Sequence, residues 1–129
     1  MEERRLISSA MPWERRFGYS RAVVVGNRVY VSGTAPVMDD GTDPPGDAYG
    51  QAQRCLEILL AALAEAGAGP EHVVRTRLYV TSAEAIEEVG RAHGEVFGDA
   101  RPATTGVVVG LLDPRWLVEI EADAIIPAS

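Results

Sequence analysis

ARPATTGVVVGLLDPRWLVEIEADAII, running from Ala100 to Ile126, puts carboxylates inside what otherwise reads as sheet. From Leu117 onward the side chains alternate. Val118, Ile120, Ala122, Ala124 and Ile126 fall on one face, and Leu117, Glu119, Glu121, Asp123 and Ile125 on the other. The first face is core. Three acids at every second residue, bracketed by large apolar residues, do not describe an ordinary solvated face, so they require partners or a use. Function is to be sought on that second face.

Working outward, Thr104 to Val109 supplies a second strand, joined to Leu117–Ile126 by a loop containing Asp113-Pro114. Val73 to Val80 also has period two, with Val74, Thr76, Leu78 and Val80 on one face and Arg75, Arg77 and Tyr79 on the other, which makes a strand with a basic face. Between these strands, Thr81 and Glu84 have capping-box spacing, and Ile86, Val89, Gly90, His93, Val96 and Phe97 form a helical stripe ending at Gly98. Upstream, Asp47 is placed to cap a helix whose Ala52, Cys55, Leu56, Leu59, Leu60, Leu63 and Ala66 recur at three- and four-residue spacing and which stops at Gly67. The proline- and glycine-rich PVMDDGTDPPGD, residues 36–47, predicts a surface loop. Ala22–Val25 and Val29–Ser32 form a hairpin about Gly26-Asn27, a pair that accepts the positive φ of a tight turn. Arg4 to Ser8 reads as a short first strand and AMPWERRFGYSR, residues 10–21, as a loop without clear period. Two helices cover only one face of a sheet of five or six strands, so the charged face must meet solvent or another subunit.

A chain of 129 residues with 47% hydrophobic content suits one domain, residues 1–129, with a genuine core. Twelve basic against nineteen acidic side chains leave a net charge of −7, which argues against nucleic acid as a partner. The single cysteine, Cys55, lies among leucines and reads as packing in a reducing compartment. No apolar run approaches the roughly 20 residues needed to span a bilayer, and the MEERRL start lacks a signal peptide's apolar stretch, so the expected location is the cytoplasm, away from membranes. Two histidines and one cysteine without ligand spacing give no metal signal, and the glycines form no phosphate-binding motif.

The hairpin ending in VSG, the EHVVRTRLYVT strand, the RPAT segment and the terminal VEIEADA, in that order and spacing, resemble the RidA/YjgF family of enamine/imine deaminases over nearly the whole chain. The resemblance implies an α+β, chorismate-mutase-like fold: one mixed sheet of about six strands with two helices on one face. It also implies a homotrimer with clefts at the subunit interfaces, binding a small-molecule metabolite there. The implied activity is hydrolysis of reactive enamines and imines to carbonyl compounds and ammonia, without metal or cofactor. Tyr19 falls at the family's cleft tyrosine, Gly33 at the glycine whose backbone contacts substrate, Glu119 at the acid that holds the hydrolytic water, and Gly106 where the backbone makes a further contact to that water.

The signature arginine of the family follows Pro-Ala, and here Pro102-Ala103 is followed by Thr104. A guanidinium binds a carboxylate bidentately, while a threonine hydroxyl offers one neutral hydrogen bond. Arg101, Arg21 and Arg77 are the candidates for a relocated cation. Gly90 stands where many members have asparagine, a second departure. The substrate specificity is therefore expected to be altered.

Each position also has a purely structural reading. Glu119 would be an ion-pair partner of Arg75 or Arg77, Glu121 and Asp123 interface or surface charges, His93 a packed, hydrogen-bonded side chain, and Tyr19 and Trp13 covers for a hydrophobic edge. Three functions follow: a deaminase in which Glu119 activates water, a catalytically silent trimer that binds a metabolite, and an endoribonuclease, which the charge disfavours. A chorismate-mutase activity would rest on fold alone.

Overall fold

The computed structural model describes residues 3–128. Its six strands are β1 (Arg4–Ile7), β2 (Ala22–Val25), β3 (Arg28–Thr34), β4 (Val73–Val80), β5 (Ala103–Val108) and β6 (Val118–Ile125), and its helices are α1 (Pro12–Phe17), α2 (Ala48–Glu65) and α3 (Ile86–Phe97). They form one mixed sheet in the order β1-β2-β3-β6-β4-β5, in which only β4 and β5 run parallel. The alternation read from the last strand is realised over Val118–Ile125, while Leu117, expected on the charged face, precedes the strand and packs against the core. Val118, Ile120, Ala122 and Ala124 are buried, while Glu119, Glu121 and Asp123 are half-buried on the opposite face. With β3 and β4 as its neighbours, β6 is the centre of the sheet, so its two faces decide which side is core.

Helix α2 packs against β3, β6 and α3, placing Leu56, Leu59 and Leu63 against Val29, Val118, Ile120 and Phe97 in a closed core. Asp47 caps α2, its carboxylate accepting from the Gly50 N–H at 2.8 Å, and Gly67 at φ 85° turns the chain out of the helix. Buried Gln51 ties α2 to the approach to β6. Its Nε2 donates to the carbonyls of Pro45 at 2.9 Å and Arg115 at 3.0 Å, and its Oε1 accepts from the Leu117 N–H at 2.7 Å. The last of those bonds holds Leu117, the residue before β6 and two before Glu119. The proline-rich loop is pinned as well, by Arg54 to the Val37 carbonyl and Asp39, and by Arg115 to Asp43.

Three local readings are corrected. Val74, expected on the apolar face of β4 with Thr76, is exposed and Val73 is buried, because the pairing with β6 shifts register between Val73 and Arg75. The segment expected to be a loop contains α1, six residues with proline at its start and Gly18 at φ 78° after its end. A helix this short buries only Glu14 and shows no repeat of apolar residues, so its terminal signals alone marked it. The capping box expected at Thr81 and Glu84 does not form. A 3₁₀ turn at Ala83–Ala85 intervenes and α3 starts at Ile86 without a side-chain cap.

Candidate functional site

The open face of the sheet carries the first group of candidate residues. Glu119 lies on β6 opposite Tyr79 of β4 and beside Gly33 of β3, where the ladder is bulged between Val31 and Thr34. Contact between Gly33 and Glu119 is so close that a Cβ on Gly33 would overlap Glu119 Oε2. Arg21 extends from the start of β2 beneath this pair. Its Nη2 donates to the carbonyls of Ser32 at 2.7 Å and Gly33 at 2.9 Å and to Thr34 Oγ1 at 2.8 Å. Burial raises the Glu119 carboxyl above the usual glutamate range; the charge of Arg21 pulls it back, and Glu121 pushes it further up. Tyr19, exposed, follows the left-handed Gly18 and stands two residues before Arg21.

The ion pair suggested for Glu119 is made by its neighbours instead. Arg77 reaches Glu121 at 3.5 Å and Asp123 at 3.7 Å. Tyr79 donates its hydroxyl proton to Glu121. Thus Glu121 and Asp123 share the single charge of Arg77, and Glu119 has Arg21 as its opposing charge.

The second group lies on the other side of the sheet. Between β4, β5 and α3 opens a cavity of about 660 Å³, lined by Leu78, Val80, Ile86, Gly90, His93 and Thr104 together with Gly106 and the valines beyond it. Register explains why Thr104 and Gly106 are there. In the parallel pair they sit opposite Thr76 and Leu78, whose side chains face α3. Thr104 Oγ1 is 2.8 Å from Thr76 Oγ1, which is 2.8 Å from His93 Nε2. Thr104 also donates to the Pro102 carbonyl at 3.1 Å. Burial lowers the pKa of the His93 imidazole, favouring its neutral form.

The five residues singled out from the sequence therefore fall into two groups, Tyr19, Gly33 and Glu119 on the open face and Thr104 and Gly106 in the cavity. Of the three candidate cations, Arg77 is held by two acids, Arg21 is a strut under Gly33 and Glu119, and Arg101, at φ 51°, precedes β5 outside the cavity lining. The positions of Arg21 and His93 carry more than the sequence reading gave them. Arg21 alternates with Ala22 and so shares the face of Val23 rather than the core, and Thr76 is a polar residue on an otherwise apolar strand face that must find a hydrogen-bond partner. Among the described residues there is no cluster of His, Cys, Asp or Glu able to hold a metal ion, and no helix is long and apolar enough to cross a membrane.

A small α+β sheet protein with this strand order defines a recognisable class, and the comparisons with known proteins agree. The family pattern described as Endoribonuclease L-PSP matches residues 12–126. An uncharacterised protein of Streptomyces coelicolor is 42% identical over 121 residues, 93% of this chain and 90% of that protein. The 3-aminoacrylate deaminase RutC of Acinetobacter baylyi is 32% identical over 82% of this chain and 85% of its own. The crystal structure of a YjgF-family protein from Mycobacterium tuberculosis superposes with a TM-score of 0.87 at 42% identity, covering 96% of this chain and all of that one. The chain belongs to the RidA/YjgF family.

Proposed function

We propose that this protein is a hydrolytic deaminase of reactive enamines or imines, acting as a homotrimer in which the cavity of one subunit closes over the open face of its neighbour. The observation that carries the reading is Glu119: a half-buried carboxyl, raised by burial, pressed against a backbone stripped of side chain at Gly33, on a strand whose other two acids share Arg77. The deaminase activity named for a relative at 32% identity supports the same class of chemistry. Separation of the two groups onto opposite faces of the sheet supports the assembly, because one ligand reaches both only across a subunit boundary.

The chemistry asks little of the protein beyond a base and a place to hold water. Glu119 takes a proton from water as its oxygen bonds to the iminium carbon, giving a neutral carbinolamine. It then returns that proton to nitrogen, the C–N bond breaks with the electron pair leaving on ammonia, and the hydroxyl proton passes to the departing ammonia, leaving a carbonyl product and ammonium. An enamine enters the same sequence after protonation on carbon. A carboxyl raised above its ordinary range is a stronger base toward water, and a pKa nearer the working pH keeps its acid form populated for the return of the proton. RNA cleavage, the activity in the description of the matching family pattern, is disfavoured by charge: the open face carries Glu119, Glu121 and Asp123, and the chain's net charge is −7.

Ammonia release tests the proposal. Imines generated in situ by an amine or amino-acid oxidase should lose ammonia faster with the protein than without it, and an RNA substrate should stay intact. Rates equal to the spontaneous hydrolysis for every imine, with a folded protein, would overturn the deaminase reading and favour the metabolite-binding alternative.

A further inference from the structure

We propose that His93, Thr76 and Thr104 form the specificity element of this site, and that it selects imines whose substituent is uncharged and mainly apolar over 2-imino acids. This rests on the deaminase reading and assigns the substrate class within it. The cavity walls are the side chains of Leu78, Val80 and Ile86 with the valines of β5, and among the described residues no lysine or arginine lines them. At its polar end His93 and Thr104 line the cavity and are joined behind it through the fully buried Thr76, so that the Pro102 carbonyl, Thr104 Oγ1, Thr76 Oγ1 and His93 Nε2 form a chain of neutral groups, each within 2.8–3.1 Å of the next.

Hydrogen counting shows what that chain offers. Each threonine hydroxyl has one proton and two acceptor sites. If Thr104 donates to Pro102, Thr76 donates to Thr104 and His93 Nε2–H donates to Thr76. If Thr104 donates to Thr76 instead, Thr76 donates to an unprotonated Nε2. Both arrangements are complete within the chain, and each leaves lone-pair capacity but no positive charge for a ligand. A carboxylate entering this subunit's part of the site would lose water and meet only neutral groups, which is unfavourable, whereas an alkyl or aryl group loses nothing and fills an apolar wall. His93 also packs its ring against Phe97 at 4.8 Å between centroids, so the imidazole is held in place for this role. Gly90, where an added Cβ would meet nothing within 4 Å, leaves the mouth of the cavity open to bulk.

A matched pair of substrates decides the matter. Leucine oxidised by an amino-acid oxidase gives a 2-imino acid, and isopentylamine oxidised by an amine oxidase gives the imine with the same side chain and no carboxylate. The expected result is a kcat/KM at least 10-fold higher for the isopentylamine-derived imine. A preference for the 2-imino acid would overturn this inference while upholding the deaminase reading; acceleration of neither would overturn the reading itself. Variants locate the effect. Thr104→Arg should reverse the preference, and His93→Leu should raise KM for the neutral imine by about 10-fold with kcat little changed. His93→Gln, whose amide can still bond Thr76, should restore most of that loss. If Thr104→Arg and His93→Leu both fold with wild-type Tm and leave the ratio unchanged, selectivity lies elsewhere and the assignment fails.

Discussion

Glu119→Gln is expected to lower turnover on any accepted imine by roughly 10²-fold or more without loss of assembly. The amide matches the carboxylate in shape, so Gly33 keeps its neighbour, but it can take no proton from water. A pH profile separates this from a packing effect. The base form of Glu119 is the active one, so kcat/KM should fall on the acid side through a pKa above the ordinary glutamate range, and that limb should disappear in the variant. Stability carries the same signature. A carboxyl raised in the folded protein binds more protons there than in the unfolded chain, so stability declines as pH rises from the ordinary glutamate pKa through the folded one. Glu119→Gln should flatten that decline. Full activity in a folded variant would reduce Glu119 to a structural charge beside Arg21.

Gly33→Ala should be nearly as damaging to turnover and almost silent in stability. The added Cβ overlaps Glu119 Oε2 and comes within 3.3 Å of Cδ, so the carboxylate must swing away. What yields is the end of a flexible side chain, at a cost of about 0.5–1.5 kcal/mol for an unfavourable rotamer. Replacing glycine where φ is not positive returns about 0.4–1 kcal/mol through the unfolded chain. The two nearly cancel, and Tm should move by no more than a few degrees. Catalysis has no such compensation, because displacing a catalytic group by about 1 Å costs on the order of 10²-fold. Combining Gly33→Ala with Glu119→Gln should be no worse than Glu119→Gln alone, since both act through one group. Additive losses would mean that Gly33 serves the substrate independently.

Much of this was legible in the chain because the strongest signals are periodic. Alternation in Leu117–Ile126 separates the acids from the core, as the buried Val118, Ile120, Ala122 and Ala124 confirm, and the Asp47 cap and Gly67 turn bound α2 within two residues. What periodicity does not carry was missed. Helix α1 is too short to repeat, and Thr81 with Glu84 has the right spacing but a 3₁₀ turn takes the place of the cap. The candidate site was readable as a set of residues and not as an arrangement. Alternation separates the faces of Glu119 and Thr104 only when the parallel register of β5 on β4 is known. His93 was expected to be a packed, hydrogen-bonded side chain, and it is one; that its partner is Thr76, and through it Thr104, depends on α3 lying over β4.

The central claim is that the carboxylate of one subunit and the cavity of another act as a single site, and subunit complementation tests it most directly. Glu119→Gln removes the base and keeps the cavity; Gly90→Trp fills the cavity, on a helix position with room for a side chain, and keeps the base. Each variant alone should be nearly inactive. Co-assembled at equal amounts in a cyclic trimer, a boundary is intact wherever the Gly90→Trp subunit supplies Glu119 and the Glu119→Gln subunit supplies the cavity, which occurs at roughly a quarter of boundaries. The account predicts recovery of about that fraction of wild-type turnover. Mixed trimers that form but remain as inactive as either parent would contradict it.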